Sequence, residues 1–143
     1  MTAFVVDASV AAKWFLPSKH ESLVPQALQL LDAYSRGQLR LVVPGLFWAE
    51  LGNILWKAVR AGRIARDRAA TTMTLVKNLG IPTYASSDLV VDALQIGLTY
   101  DRSVYDSLYV ALAVQYSIDL ITADERLANA LAARLPVKWL GAV

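Results

Sequence analysis

Residues 2–10 read Thr-Ala-Phe-Val-Val-Asp-Ala-Ser-Val, an apolar run that stops at an aspartate. The short β-branched segment 2–6 predicts a buried strand, and Asp7-Ala8-Ser9 leads into a short predicted helix over residues 10–16. An ionised carboxylate avoids apolar surroundings unless it is paired, hydrogen-bonded or bound to a cation. Asp7 therefore marks the end of the first strand and is a candidate functional residue.

Strands and helices alternate along the rest of the chain. Further strands are predicted at 39–43, 81–84, 119–122 and 137–140. The predicted helices cover 18–34, 44–61, 66–78, 86–99, 104–116 and 126–134, with Ser18 and Glu21 resembling a capping box and Ser103 a helix N-cap. This alternation predicts an α/β sandwich with a mainly parallel central sheet and helices on both faces. We expect one domain over residues 1–143.

Four carboxylates share an unusual setting, because each lies where an apolar element meets a turn or a neighbouring helix: Asp7, Glu50, Asp106 and Asp124. Asp7 and Asp124 directly follow predicted strands, whereas Glu50 and Asp106 interrupt apolar helical patterns. Sites in open parallel sheets form beyond the carboxyl ends of the strands. We therefore expect the four acids to converge on one edge of the sheet and to hold a cation.

The composition restricts the kind of metal site. The chain has no cysteine and one histidine, His20, which follows a polar stretch. Thiolate and multi-histidine centres are therefore excluded, and oxygen ligands favour Mg²⁺ or Mn²⁺. The absence of a disulfide framework, of a signal peptide and of an apolar run of about 18 residues predicts a cytoplasmic protein that does not cross a membrane.

Hydrophobic residues make up 56% of the 143 residues, and the mean hydropathy is +0.40. That apolar content exceeds what a small domain usually needs for its own core. It predicts apolar surface covered by another chain, or only an alanine-rich core. The tryptophans are expected mainly in the core, with some at a dimer contact or a groove for a partner helix.

Carboxylates around a divalent ion suit phosphodiester hydrolysis, because a negatively charged backbone repels hydroxide. A bound cation neutralises that charge, lowers the pKa of its water and orients it for in-line attack, which leaves a 5′-phosphate and a 3′-hydroxyl. Ser9 and Thr122 each lie two residues from an acid and can orient a carboxylate or the water. No histidine is required for this chemistry.

Four motifs resemble those of PIN-domain nucleases, and more narrowly the VapC-type toxins of type II toxin–antitoxin pairs. They are the segments 6–10 (VDASV), 44–53 (PGLFWAELGN), 104–113 (VYDSLYVALA) and 120–127 (LITADERL). The resemblance covers essentially the whole chain in motif order. It implies metal-dependent endonucleolytic cleavage of RNA, an antitoxin as inhibitor and a homodimer. It also implies that Asp7, Glu50, Asp106 and Asp124 bind Mg²⁺ or Mn²⁺, supported by Ser9 and Thr122.

The net charge of +2 is unevenly distributed, because five basic residues fall between positions 57 and 68. In one interpretation the first three complement the dipole of a helix C-terminus and the last two are ordinary solvated charges. In the other, all five form a phosphate-contacting rim for RNA beside the acids. The five are Lys57, Arg60, Arg63, Arg66 and Arg68.

Each acid also has a purely structural interpretation. Asp7 could serve only as a helix N-cap, and Asp124 could serve only to complement the dipole at a helix N-terminus. Glu50 could form a salt bridge.

Two rival functions remain open on the sequence. One is an aspartyl-phosphate phosphatase with Asp7 as nucleophile, although Ser9 stands where such enzymes usually place a second aspartate. The other is a non-catalytic PIN-like module that binds RNA or a protein.

Overall fold

The computed structural model describes residues 1–143. Its five strands are β1 (Ala3–Val6), β2 (Arg40–Pro44), β3 (Thr83–Tyr84), β4 (Asp119–Thr122) and β5 (Val137–Trp139). They form one sheet in the order β3-β2-β1-β4-β5, and every neighbouring pair is parallel. The predicted α/β fold is confirmed.

Seven helices connect and flank the strands. They are α1 (Ala8–Ala12), α2 (Val24–Ser35), α3 (Leu46–Arg60), α4 (Arg66–Asn78), α5 (Ser86–Tyr100), α6 (Val104–Tyr116) and α7 (Glu125–Leu131). Two 3₁₀ turns complete the chain, at Ser18–His20 and Leu140–Ala142. None of the helices combines the length and the apolar character needed to cross a bilayer.

Both faces of the central strands are covered. Successive residues of a strand point to opposite faces, and both Val5 and Val6 are fully buried, as are Leu120 and Ile121. Helix α6 packs against β1, β2 and β4 and is buried on all sides from residue 107 to residue 113, because α5 packs along it. A helix enclosed in this way is apolar all round, which makes any carboxylate on it conspicuous.

The strand order creates a crevice at one point of the sheet edge. From β1 the chain moves outward through β2 to β3, and it later returns to β4 on the other side of β1. Ligands of open α/β sheets bind at such a reversal, outside the carboxyl ends of the strands. Val6 pairs in register with Ile121, so β1 and β4 end side by side.

Two predicted helix starts are wrong. Ser18 and Glu21 do not cap α2: a 3₁₀ turn occupies Ser18–His20, and α2 begins at Val24 after Leu23, which has φ 57°. Glu21 instead forms an ion pair with Lys13 at 3.2 Å. Pro44 ends β2 rather than opening α3.

Candidate active site

The four predicted acids line one cavity of about 140 Å³ at the carboxyl ends of β1 and β4. Four separate segments supply them: the β1–α1 junction, α3, α6 and the β4–α7 junction. The remaining lining residues are Ala8, Ser9, Tyr109, Leu120 and Leu127. The structure therefore brings together residues that lie up to 117 positions apart, from Asp7 to Asp124.

Asp7 is held in place by its neighbours. It is the N-cap of α1, and its Oδ1 accepts hydrogen bonds from the backbone N–H of Val10 at 3.2 Å and from the Ser9 hydroxyl. The structural interpretation of Asp7 as a helix cap is therefore correct. It does not compete with the functional one, because the same carboxylate also lines the cavity.

Ser9 and Thr122 connect the two strand ends. Ser9 Oγ donates to Asp7 and accepts the backbone N–H of Ala123 at 3.3 Å, which joins the β1–α1 and β4–α7 junctions. Thr122 is fully buried, and its Oγ1 accepts the backbone N–H of Asp124 at 3.0 Å. Only Ser9 of the two lines the cavity, so Thr122 acts on the site through Asp7 and Asp124.

Asp106 and Asp124 each lie at the start of a helix. Asp124 is the exposed N-cap of α7, with Oδ1 accepting the Leu127 N–H at 3.1 Å. Asp106 is in the first turn of α6 and is partly buried; its N–H donates to the capping Ser103 hydroxyl at 3.1 Å. Both helix N-termini favour a negative charge, which stabilises acids that face one another.

Glu50 lies on α3 and faces α6. Tyr109 Oη donates to Glu50 Oε1 at 2.5 Å, and Glu50 forms no salt bridge. The salt-bridge interpretation of Glu50 is therefore wrong. Tyr109 is a site residue that the sequence reasoning did not assign. Its spacing of three residues from Asp106 on α6 was the available signal, since such residues share a helix face.

Burial and, to a lesser extent, like charge raise the pKa values of Asp7, Glu50 and Asp106. Burial raises the pKa of Asp7 to about 6, and the charge of Glu50 adds to the rise, while hydrogen bonds from Ser9, Thr122 and Val10 oppose it. Burial also raises the pKa of Glu50, with Asp106 adding to the effect and Tyr109 opposing it.

Asp106 extends this chain of like charges. Burial raises its pKa, the charge of Asp124 adds to the rise, and Arg102 and the Ser103 hydrogen bond oppose it. No lysine or arginine lines the cavity. The negative charges are therefore concentrated in one cavity whose lining holds no positive side chain, which is the electrostatic condition that a bound cation relieves.

The side chains as they stand do not form a ready-made coordination group of three or more acids. Mutually repelling carboxylates keep apart until a cation screens them. The donor set nevertheless fits a hard divalent ion, because all the polar side-chain atoms around the cavity are oxygens.

The basic segment does not form one continuous rim in the structure. Lys57 lines a cavity next to the acids, together with Glu50. Arg60 and Arg66 instead line a separate groove between α3 and α4. Arg63 lines a third cavity with Glu21, which Lys57 also borders. Arg68 is exposed on α4 and lines none of these cavities.

Comparison with known proteins identifies the family. The family profile of the PIN domain matches residues 4–131. Ribonuclease VapC3 of Pyrobaculum aerophilum is 32% identical over 129 residues, which cover 87% of this chain and 92% of the relative.

Solved structures share the fold. PAE2754 from Pyrobaculum aerophilum superposes with a TM-score of 0.71 at 20% identity, over 99% of this chain and 85% of that one. A toxin–antitoxin complex from Klebsiella pneumoniae gives a TM-score of 0.59 at 16% identity, over 94% and 95% of the two chains. The sequence match over nearly the whole chain and the common fold lead to one conclusion: the chain belongs to the PIN domain family and, within it, to the VapC group.

Proposed function

We propose that this protein is an endoribonuclease that hydrolyses RNA phosphodiesters with a divalent cation, and that it is the toxin of a toxin–antitoxin pair. The observation that carries the proposal is the convergence of Asp7, Glu50, Asp106 and Asp124 on one cavity from four separate segments. Its membership of the PIN domain family and its similarity to a ribonuclease VapC support the reaction.

Mg²⁺ or Mn²⁺ is the proposed cofactor. Asp7, Glu50, Asp106 and Asp124 would hold it, directly or through water, because hard carboxylate oxygens suit these ions. When bound, the cation neutralises charge on the phosphate and lowers the pKa of a water molecule for in-line attack. The proposed products carry a 5′-phosphate and a 3′-hydroxyl.

The protein's own contribution is to fix the carboxylates before substrate arrives. Ser9 and the Val10 N–H hold Asp7, and the Tyr109 hydroxyl holds Glu50. These hydrogen bonds favour the ionised carboxylates that burial would otherwise protonate. Asp124 is the most exposed acid of the four and lies where a polyanion would enter.

The two rival functions fit the site less well. A phosphatase with Asp7 as nucleophile relies on a nearby lysine, and no lysine lines the acid cavity. A non-catalytic binding module needs no cluster of desolvated carboxylates, because such a cluster repels RNA unless a cation neutralises it.

An antitoxin protein is the proposed inhibitor, as in the toxin–antitoxin complex from Klebsiella pneumoniae. The groove between α3 and α4 is its proposed docking place. This groove of about 610 Å³ has an apolar floor that includes Leu55, Trp56 and Met73. Arg60, stacked on the Trp56 ring, and Arg66 border it, which favours an apolar segment that carries acidic side chains.

A homodimer is the proposed assembly, and α5 is the proposed contact. Val91, Leu94 and Leu98 lie on one stripe of α5 and are 70%, 49% and 76% exposed. An uncharged apolar stripe can meet its own copy across a two-fold axis without like-charge repulsion. A cytoplasmic location stays a prediction.

The test is digestion of total cellular RNA by the purified, antitoxin-free protein with Mg²⁺, Mn²⁺ or EDTA, with Asp106→Asn as the matched inactive variant. We expect discrete cleavage with metal, none with EDTA and none by Asp106→Asn. Sequencing of the fragment ends then checks the 5′-phosphate. Absence of cleavage by the wild type with either metal would refute the proposal.

A further inference from the structure

A second cavity adjoins the acid cavity and has no assigned role. It measures about 410 Å³ and is lined by Leu46, Ala49, Glu50, Asn53, Ile54, Lys57 and Tyr105. Glu50 lines both cavities, so the two lie on either side of this side chain. Tyr105 precedes Asp106 in the chain, which places it at the border between them. We refer to this second cavity as the side cavity.

One wall of the side cavity is a face of α3. Glu50, Asn53 and Lys57 are spaced by three and four residues and therefore follow one another along the same side of the helix. Their order leads from a carboxylate at the acids, through an amide, to an ammonium group about 10 Å further along the axis. Asn53 and Lys57 are exposed, and neither side chain has a hydrogen-bond or ion-pair partner in the structure.

The other wall carries an exposed aromatic ring. Tyr105, in the first turn of α6, is 64% exposed although most of that helix is buried. Its ring stacks on no other aromatic ring, and its hydroxyl makes no hydrogen bond within the chain. Packing of the core thus gives no reason for an aromatic residue at this position.

We propose that the side cavity is a nucleotide subsite for the residue next to the scissile phosphate of single-stranded RNA. The base stacks on Tyr105, the Asn53 amide hydrogen-bonds to the base edge, and Lys57 contacts the following phosphate. Aromatic stacking combined with a cationic contact is the usual way in which proteins hold single strands. This inference rests on the proposed ribonuclease function, because it assumes that the scissile phosphate lies at the acids.

The proposed subsite also explains how a negatively charged acid cavity can bind RNA, which is itself a polyanion. A cation neutralises charge only at the acids, whereas the neighbouring phosphate needs its own positive partner. Lys57 is the one member of the basic segment that lines a cavity shared with a catalytic acid. The subsite therefore assigns different roles to Lys57 and to Arg60, which lies in the α3–α4 groove.

The test measures binding and cleavage of short fluorescent RNA by Tyr105→Ala, Tyr105→Phe and Lys57→Ala. Binding is followed by anisotropy with Mg²⁺ and a cleavage-resistant phosphorothioate RNA, so that it does not depend on catalysis. We expect Tyr105→Ala to raise the Kd and the KM about 5- to 150-fold, because one base–aromatic stack is lost. Tyr105→Phe keeps the ring and should have the Kd and the KM of the wild type. Lys57→Ala should lower the slope of log affinity against log salt by about 0.7.

Matched controls are Tyr116→Ala, an exposed tyrosine at the other end of α6, and Lys19→Ala, an exposed lysine in the first 3₁₀ turn. Neither should change the Kd by more than about twofold.

A series of RNA substrates, each with one abasic nucleotide at a different position, adds a readout that a purely structural role of Tyr105 would not produce. We expect that an abasic nucleotide at one position weakens binding to the wild type but not binding to Tyr105→Ala.

The outcomes separate the two proposals. If the wild type cleaves RNA but Tyr105→Ala has an unchanged Kd and KM, the subsite is wrong and the nuclease function stands. If Tyr105→Ala weakens only the antitoxin complex, the side cavity is a protein contact and the subsite is again wrong. If the wild type neither binds nor cleaves RNA, both proposals fail.

Discussion

The hydroxyl of Tyr109 donates a hydrogen bond of 2.5 Å to Glu50 and so connects α6 to α3 beside the other acids. Each residue defines the environment of the other. Burial raises the pKa of the tyrosine hydroxyl, and the charge of Glu50 raises it further, so it stays a donor. In return the hydrogen bond opposes the rise in the pKa of Glu50 that burial causes. Glu50 is thereby oriented towards the cavity by a neutral group.

The first prediction follows from that contact. Tyr109→Phe should lower the free energy of unfolding by about 1.5–3 kcal/mol, because a hydrogen bond to a charged group is lost. The loss of orientation should also weaken Mn²⁺ binding about 10-fold or more. Urea unfolding and calorimetric titration measure the two effects. Tyr100→Phe is the control, since its hydroxyl has no hydrogen bond in the structure. Equal Mn²⁺ affinity in Tyr109→Phe and the wild type would disprove the positioning role.

The second prediction concerns pH and Asp7 in metal-free protein. Its pKa is about 6 in the folded state against an ordinary value of 3.8, so the folded state binds more protons between these values. The free energy of unfolding should therefore fall as the pH rises from about 4 to about 6, by at most about 3 kcal/mol from this group.

Asp7→Asn removes the titrating group but keeps a hydrogen-bond acceptor for Val10 and Ser9. It should lose this part of the slope and be more stable than the wild type above pH 6 in EDTA. Urea unfolding at pH 4.5, 5.5 and 7 checks the difference, with the exposed Asp88→Asn as control. An identical pH slope for Asp7→Asn and the wild type would show that Asp7 is not desolvated.

The third prediction concerns Ser9, which hydrogen-bonds to both Asp7 and the backbone of Ala123. Ser9→Ala removes a hydrogen bond that opposes the rise in the pKa of Asp7. Metal affinity at pH 6 should consequently fall about 10- to 100-fold, and the loss should shrink at higher pH. Mn²⁺ titrations at pH 6 and 8 measure it, with Ser87→Ala as a surface control. A loss that does not depend on pH would argue for a purely geometric role.

The fourth prediction concerns the α3–α4 groove. Trp56 is 54% exposed there and is the largest apolar side chain available to a partner. Trp56→Ala should weaken the complex with the antitoxin at least about 30-fold, the usual effect of losing a buried aromatic anchor. Leu75→Ala, an exposed apolar residue of α4 outside the groove, is the control. An unchanged dissociation constant for Trp56→Ala would place the antitoxin elsewhere.

The fifth prediction concerns α5. Leu94→Glu combined with Leu98→Glu puts four like charges near the proposed two-fold axis and should convert a dimer into a monomer. Light scattering after gel filtration measures the mass. Leu28→Glu, on an exposed position of α2, should leave the mass unchanged. A double variant that remains dimeric would exclude the α5 contact.

Much of the fold was accessible from the sequence because its local signals agree with its tertiary structure. The apolar run before Asp7 and the alternation of elements predicted the parallel sheet, and α4 spans the predicted residues 66–78. Ser103 caps α6 as its position indicated. Ser18 and Glu21 resembled a capping box, but the Glu21 carboxylate forms a tertiary ion pair with Lys13. The single domain over residues 1–143 stays a prediction.

The site was accessible only in part. The four acids could be found because an acid is conspicuous directly after an apolar strand, as at Asp7 and Asp124, or within an apolar helical pattern, as at Glu50 and Asp106. Their contacts depend on three-dimensional packing. Glu50 and Tyr109 are 59 residues apart, and no local pattern connects them. The distribution of the basic segment over different cavities was also not predicted from the sequence. Helical spacing offered a signal, because Lys57 is seven residues from Glu50 and lies on the same face of α3, whereas Arg60 lies on a different face.

We propose that four carboxylates from four segments hold one catalytic cation. Anomalous diffraction from crystals soaked in MnCl₂ and measured above the manganese edge locates that cation. We predict an anomalous peak among Asp7, Glu50, Asp106 and Asp124 in the wild type and its loss in Asp106→Asn. A wild-type protein that cleaves RNA with Mn²⁺ but shows no peak there, or shows one only elsewhere, would exclude this cation site.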